Sequence, residues 1–255
     1  MEVFLNPDAW IALLTLTFLE IVLGIDNIIF ISIATGKLPA EKRKKATKLG
    51  MFLAMFMRIA LLFGINLLIQ MKEPWFHIDL SWFSAGITGQ SIILLLGGLF
   101  LIYKSTNEIR EKVDEKGHEE KEMKEAATKS FQNVILQIIM IDLVFSFDSI
   151  LTAVGMTNGV EGAIYIMITA VIISVFIMMQ FAVPVGNFVN NHPSIQILGL
   201  AFLILIGMML LTESAHLSNA LIFGSHVTPL PKGYLYFAIT FSLVVEMINM
   251  KIEKK

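Results

Sequence analysis

Seven stretches of the chain stay apolar for about the 20 residues needed to cross a bilayer. They fall at roughly 9–34, 48–70, 84–103, 131–156, 161–183, 194–212 and 233–250. Within each stretch the apolar positions run on continuously. That predicts buried or lipid-facing helices and excludes membrane-barrel strands, which are about 10 residues of alternating polarity. The expected fold is all-α: a polytopic membrane protein of seven transmembrane helices.

Polar positions break this pattern at matching places. Glu20-Ile-Val-Leu-Gly-Ile-Asp26-Asn27 in the first stretch aligns with Asp142-Leu-Val-Phe-Ser-Phe-Asp148-Ser149 in the fourth. A charge near the bilayer centre costs roughly 2.5–3.5 kcal/mol on the insertion scale, and such residues mark ion or substrate paths by default. The two motifs lie 122 residues apart, and the same offset carries Arg58 onto Gln180. Farther on, after a register shift, Gly98-Leu-Phe-Leu-Ile-Tyr-Lys104 resembles Gly207-Met-Met-Leu-Leu-Thr-Glu213. Each copy holds three spans, an odd number, so the copies are expected to enter the membrane from opposite sides, as in many secondary transporters. The predicted organisation is a first three-helix repeat (1–104), a charged cytoplasmic linker (105–129), a second repeat (130–213), then a loop, a seventh helix and a tail (214–255).

Composition agrees and adds exclusions. The chain is 56% hydrophobic with a mean hydropathy of +0.74, beyond the range of a soluble domain. It has no cysteine, so neither disulfides nor thiolate metal sites are expected. The net charge of −2 says nothing about nucleic acid, and no nucleic-acid partner is expected. Residues 1–8 lack a basic stretch, so the first apolar segment is expected to remain in the mature protein. Basic residues gather at 37–48 (Lys37, Lys42, Arg43, Lys44, Lys45, Lys48), at 104–129 and at the carboxy-terminal Lys251, Lys254 and Lys255. Because Lys and Arg collect in cytoplasmic loops, the expected topology has the amino terminus outside and the carboxy terminus inside a bacterial cytoplasmic (inner) membrane.

Residues six apart on a regular helix differ by about 240°, so Glu20 and Asp26 share a face only if the helix opens. Gly24 between them, with Ser146 in the matching place, suggests an unwound turn that turns both acids and freed carbonyls to one cavity. The resulting metal-ligand set is Glu20, Asp26, Asn27, Asp142, Asp148 and Ser149. All its donors are oxygens, which suits Mn²⁺, Mg²⁺ or Ca²⁺ and not copper(I) or zinc. Gly24, Arg58, Gln180, Lys104, Glu213 and Glu246 are the expected gating or charge-balancing residues; Arg58 could equally neutralise an empty site or stabilise packing, and Asp142 could pair with it merely to hold helices together. The five histidines, at 77, 118, 192, 216 and 226, fall in loops or near span ends and are read as surface residues.

At these motifs, and at Arg43-Lys-Lys-Ala46 and Pro231-Lys-Gly-Tyr234, the chain resembles the TerC family of integral membrane proteins along essentially its whole length. The resemblance implies intramembrane acidic motifs, a link to tellurite resistance by name, manganese efflux in several members and kinship with the LysE-type exporters. It points to Mn²⁺ as the exported ion, by alternating access and with proton exchange as the coupling. An alternative is a membrane-embedded metal-handling or assembly partner without full transport activity. An intramembrane aspartyl protease is disfavoured because the Gly-x-Gly-Asp pattern is missing, so the protein is not read as an enzyme. No cofactor is expected beyond the transported cation. The partners expected are the bilayer, a divalent metal and protons.

The charge distribution makes one expectation directly testable, since the chain has no cysteine of its own. A cysteine introduced at Lys124 is expected to resist impermeant maleimide in intact cells. One at Asp79 is expected to react, and the reverse pattern would overturn the topology.

Overall fold

A computed structural model describes residues 6–114, 131–157 and 159–253, with the side chains of Ile25, Asp26 and Glu253 outside the description. Seven of its helices are long and apolar enough to cross a membrane. They are α1 (Pro7–Gly36), α2 (Ala40–Phe63), α4 (Gly89–Asp114), α5 (Phe131–Met156), α6 (Ala163–Asn190), α7 (Pro193–Leu217) and α8 (Lys232–Glu253). A short α3 (Ile65–Gln70) follows α2 beyond Gly64. Local chemistry sets several ends. Asn6 caps α1 by accepting the Asp8 N–H at 3.0 Å, with Pro7 in the first turn where its missing donor costs nothing. Pro193 opens α7 in the same way. Pro184 lies inside α6 without ending it, as membrane helices tolerate.

One region departs from the all-helical expectation. Residues 84–88, predicted to begin the third span, belong to a strand. β1 (Pro74–Asp79), β2 (Phe83–Thr88), β3 (Leu221–Ile222) and β4 (Ser225–His226) make an antiparallel sheet in that order. Apolarity alone does not separate a short buried helix segment from a strand. Here the partner β3 is more than 130 residues away, and Phe83 pairs with Ile222 and Ser84 with Leu221. The β3–β4 turn puts Phe223 and Gly224 at positive φ (49° and 78°), and the Phe223 N–H donates to the Trp82 carbonyl at 2.9 Å. The sheet carries exposed Trp75, Phe76, Trp82 and Phe223.

By contacts the chain forms two compact units, residues 1–65 with 118–191, and 66–117 with 192–255. In the first, α1 packs mainly on α6 and α2 mainly on α5, with α1 also on α5 and α2 on α6. In the second, α4 packs along α7, α8 leans on α7, and the sheet joins α4. If each helix of the first triplet is exchanged for its counterpart (α1 for α5, α2 for α6, α4 for α7), these pairings map onto themselves. A contact between α1 and α2 breaks the pattern, because α5 and α6 do not match it in extent. The α4–α7 contact is reciprocal at aligned glycines: a Cβ on Gly98 would lie 2.7 Å from the Gly207 carbonyl oxygen, and one on Gly207 would lie 2.9 Å from that of Gly98.

The charged segment begins differently from expectation. Residues 105–114 continue α4, which belongs to the second unit, and on it Ser105 and Glu108 are buried instead of solvated. Residues 115–129 lie outside the described residues. Glu108 is paired with Lys104 at 3.0 Å, and Lys112 hydrogen-bonds Gln196 on α7.

The glycine contact sets a stability test. Gly98→Ala forces a Cβ against backbone that cannot yield, and is expected to lower stability in detergent by about 1–3 kcal/mol. Gly155→Ala, which meets nothing within 4 Å on α5, is expected to be neutral or slightly stabilising. Thermal unfolding of the purified variants checks both.

Candidate functional site

The first unit brings three helices together on one side chain. On α2, residues Ala46, Gly50, Ala54, Arg58 and Leu62 are all buried, each four apart and therefore on one face. The three small residues let α2 approach its neighbours closely, as in packed membrane helices, and Arg58 follows them on the same stripe. Its guanidinium donates from Nη2 to Asp142 Oδ1 at 2.6 Å, from Nε to Asp142 Oδ2 at 3.1 Å and from Nη1 to Glu20 Oε2 at 2.5 Å. All three residues are buried, with side-chain exposure between 5% and 8%. The fork to Asp142 matches the geometry in which Arg binds a carboxylate most strongly.

Asp142 is further held by its own surroundings. Asn27 Nδ2 donates to Oδ1 at 3.3 Å and Ser146 Oγ to Oδ2 at 3.0 Å, so each carboxylate oxygen accepts two hydrogen bonds. Ser149 Oγ donates to the Ser146 carbonyl at 3.3 Å. Two oxygens nearby on α1 remain unused. Asn27 Oδ1 and Thr17 Oγ1 are buried with no hydrogen-bond partner among the described residues. Thr17 stands one turn before Glu20.

Both motif helices are continuous, α1 from Pro7 to Gly36 and α5 from Phe131 to Met156. The unwound turn expected at Gly24 is therefore absent. The glycine serves packing instead: a Cβ there would collide with Met178 Sδ on α6. The motif acts through a different spacing. Residues seven apart on a helix differ by only about 20°, so Glu20 shares a face with Asn27, and Asp142 shares one with Ser149. The two later acids fall about 120° away from that face. Asp148 is half-buried on α5, and the side chain of Asp26 lies outside the described residues.

The structure thus joins Glu20, Asn27, Arg58 and Asp142, with Ser149 about two turns beyond Asp142 on α5. Gln180, the positional counterpart of Arg58, is exposed on α6 and takes no part in the cluster. Lys104 pairs with Glu108, while Glu213 and Glu246 are half-buried on α7 and α8 of the second unit. Among the described residues no group of three or more acidic or histidine side chains stands close enough to hold a metal ion. Sequence reading missed Ser146 as a partner of Asp142, although the four-residue spacing on one helix was a usable signal. It gave no weight to Thr17, which has no counterpart in the motif.

These bonds predict a graded cost. Asp142→Ala leaves Arg58 half-paired in an apolar interior and is expected to destabilise by about 3–5 kcal/mol. Ser146→Ala removes one hydrogen bond to a charged acceptor and is expected to cost about 1.5–3 kcal/mol. Unfolding midpoints in detergent measure both.

Comparison with known proteins gives the chain its relatives. Residues 5–254 match the family described as integral membrane protein TerC family. A Haemophilus influenzae protein called UPF0053 protein is 45% identical over 249 residues, covering 98% of this chain and 96% of that one. The UPF0053 inner membrane protein YgdQ of Escherichia coli is 46% identical over 250 residues, with the same coverage. A longer relative from Escherichia coli, the UPF0053 inner membrane protein YoaE, is 41% identical across 98% of this chain but only 44% of its own length. No solved structure matches. With a family match along nearly its whole length and relatives this similar end to end, the chain belongs to the TerC family of integral membrane proteins.

Proposed function

We propose that the protein is a secondary transporter of the bacterial inner membrane that exports divalent cations, Mn²⁺ foremost, by alternating access, with protons taken up in exchange. The observation that carries this reading is the convergence of Glu20 and Asp142 on one cationic group. These acids occupy matching positions of the two motifs, on helices that are counterparts. A pair of buried, opposed carboxylates is a cation site whatever cation fills it, and at membrane depth its default meaning is transport. The buried, unpartnered Asn27 Oδ1 supports it by adding a neutral oxygen acceptor beside the pair. The donors are oxygens throughout, which favours a hard cation over copper(I) or zinc.

The self-mapping of the helix pairings supports the alternating-access part of the proposal. Two similar three-helix sets of opposite orientation can exchange conformations, and that exchange opens a central site to each side in turn. The relatives named as inner membrane proteins support the location, and the basic loops support an external amino terminus.

A second reading is favoured by one fact. Asp142 has every acceptor position filled by protein donors, as suits a permanent structural ion pair. Transport by purified protein in liposomes, followed with a manganese-sensitive dye, separates the two. Wild-type protein is expected to carry Mn²⁺, with copper(I) neither carried nor competing. Glu20→Gln keeps the side chain's shape and one acceptor for Arg58 but removes half of the carboxylate pair, and is expected to lose flux by roughly tenfold or more, the scale on which metal-site changes act. Absence of Mn²⁺ flux in the wild type, or full flux in Glu20→Gln, overturns the proposal.

A further inference from the structure

The guanidinium and a metal ion would need the same oxygens. Arg58 takes both oxygens of Asp142 and one of Glu20. A divalent ion binds carboxylate oxygens at about 2.0–2.6 Å, the space that Nη1 and Nη2 occupy at 2.5 and 2.6 Å. Each Asp142 oxygen already accepts two hydrogen bonds, so it has no acceptor position left for an ion, and repulsion between two cations is weakly screened in an apolar interior. Loading by an ion therefore requires Arg58 to leave.

The site also holds acceptor capacity that Arg58 does not use: Asn27, whose Nδ2 bonds Asp142, has an Oδ1 that is buried with no partner among the described residues. Thr17 Oγ1, one turn before Glu20 on α1, is likewise buried and unpartnered among them. A buried unpartnered polar atom costs roughly 1–3 kcal/mol, so these are unexplained if the ion pair is the only arrangement of the site. They are explained if a second cation occupies it in turn. The two halves of the chain also differ at this point. The first supplies Arg58, and the second supplies Gln180, neutral and exposed. A single tethered cation is thus available to a pair of acids contributed by both halves.

We propose that Arg58 is an exchangeable occupant of the site, a tethered cation that competes with the divalent ion for Glu20 and Asp142. This rests on the transport reading above and specifies how the site is regulated. With Arg58 in place, two carboxylates and one guanidinium carry a net charge of −1, so the unloaded site can reorient without exposing an unpaired acid pair to hydrocarbon. With Arg58 displaced, both acids and the idle oxygens face the ion. Arg58 lowers the site's affinity for the ion, and its return drives release.

The test is Mn²⁺ binding to purified protein in nanodiscs, read by titration calorimetry and by the electron paramagnetic signal of free Mn²⁺, alongside liposome flux. Arg58→Met removes the competitor and is expected to bind Mn²⁺ at least tenfold more tightly while net flux falls, because release is impaired. Arg58→Lys keeps the charge but loses the fork that grips Asp142. It is expected to bind more tightly than wild type by a smaller factor, and it carries the test if the Met variant does not fold. Glu20→Gln is expected to bind more weakly. A purely structural Arg58 predicts weaker or unchanged binding in both arginine variants, and either result overturns the proposal. If wild type binds Mn²⁺ and the arginine variants match it, this proposal alone fails. If no form binds Mn²⁺ at millimolar concentration, the transport reading fails with it.

Discussion

A guanidinium in hydrocarbon has to be surrounded by acceptors, and Arg58 meets that demand by drawing α1, α2 and α5 to one point. Around that point the other features of the first unit are arranged. The small-residue stripe of α2 lets the helix come near enough for the side chain to reach. Gly24 allows α1 to press on α6 at the level between the two acidic positions. Ser146 and Asn27 complete the acceptor and donor balance of Asp142. Removing one partner of such a set leaves a charge that neither lipid nor protein can solvate. The interaction therefore fixes the register of three helices that would otherwise slide on apolar surfaces.

Much of the fold was legible because membrane insertion reads one variable. Long apolar runs have few alternatives to helices, and each of the seven runs contains a helix long enough to span, although the third begins as a strand. What escaped was the small sheet, because its pairing of β2 with β3 depends on two loops far apart in sequence, and strands of two residues carry no periodic signal of their own. The end of α4 also escaped. Charge density over residues 105–114 suggested solvent, yet Glu108 is buried with Lys104 beside it. Composition averages over faces, and a helix can bury one acid while exposing its neighbours.

The candidate site was half legible. The motif copies held Glu20, Asn27 and Asp142, which the structure brings together with Arg58, and the Arg58–Asp142 pair was visible as an alternative. The error lay in treating the acids six apart as a unit, which required a broken helix. A regular helix puts positions seven apart on one face, so Glu20 shares a face with Asn27 and Asp142 with Ser149. Gly24 was read for its flexibility when its role is to have no side chain. Sequence alone does not say which of glycine's two properties a site uses.

The ion triad also constrains how the protein is made. Only residues 37–39 separate α1 from α2, so these helices emerge from the ribosome as a hairpin carrying Glu20 and Arg58 long before Asp142 is synthesised. Each charge is costly to insert on a lone helix, but paired as a hairpin the two partly neutralise one another. Asp142 then arrives on α5 to find an arginine already waiting in the membrane. The order of synthesis thus offers Asp142 its partner at the moment of entry.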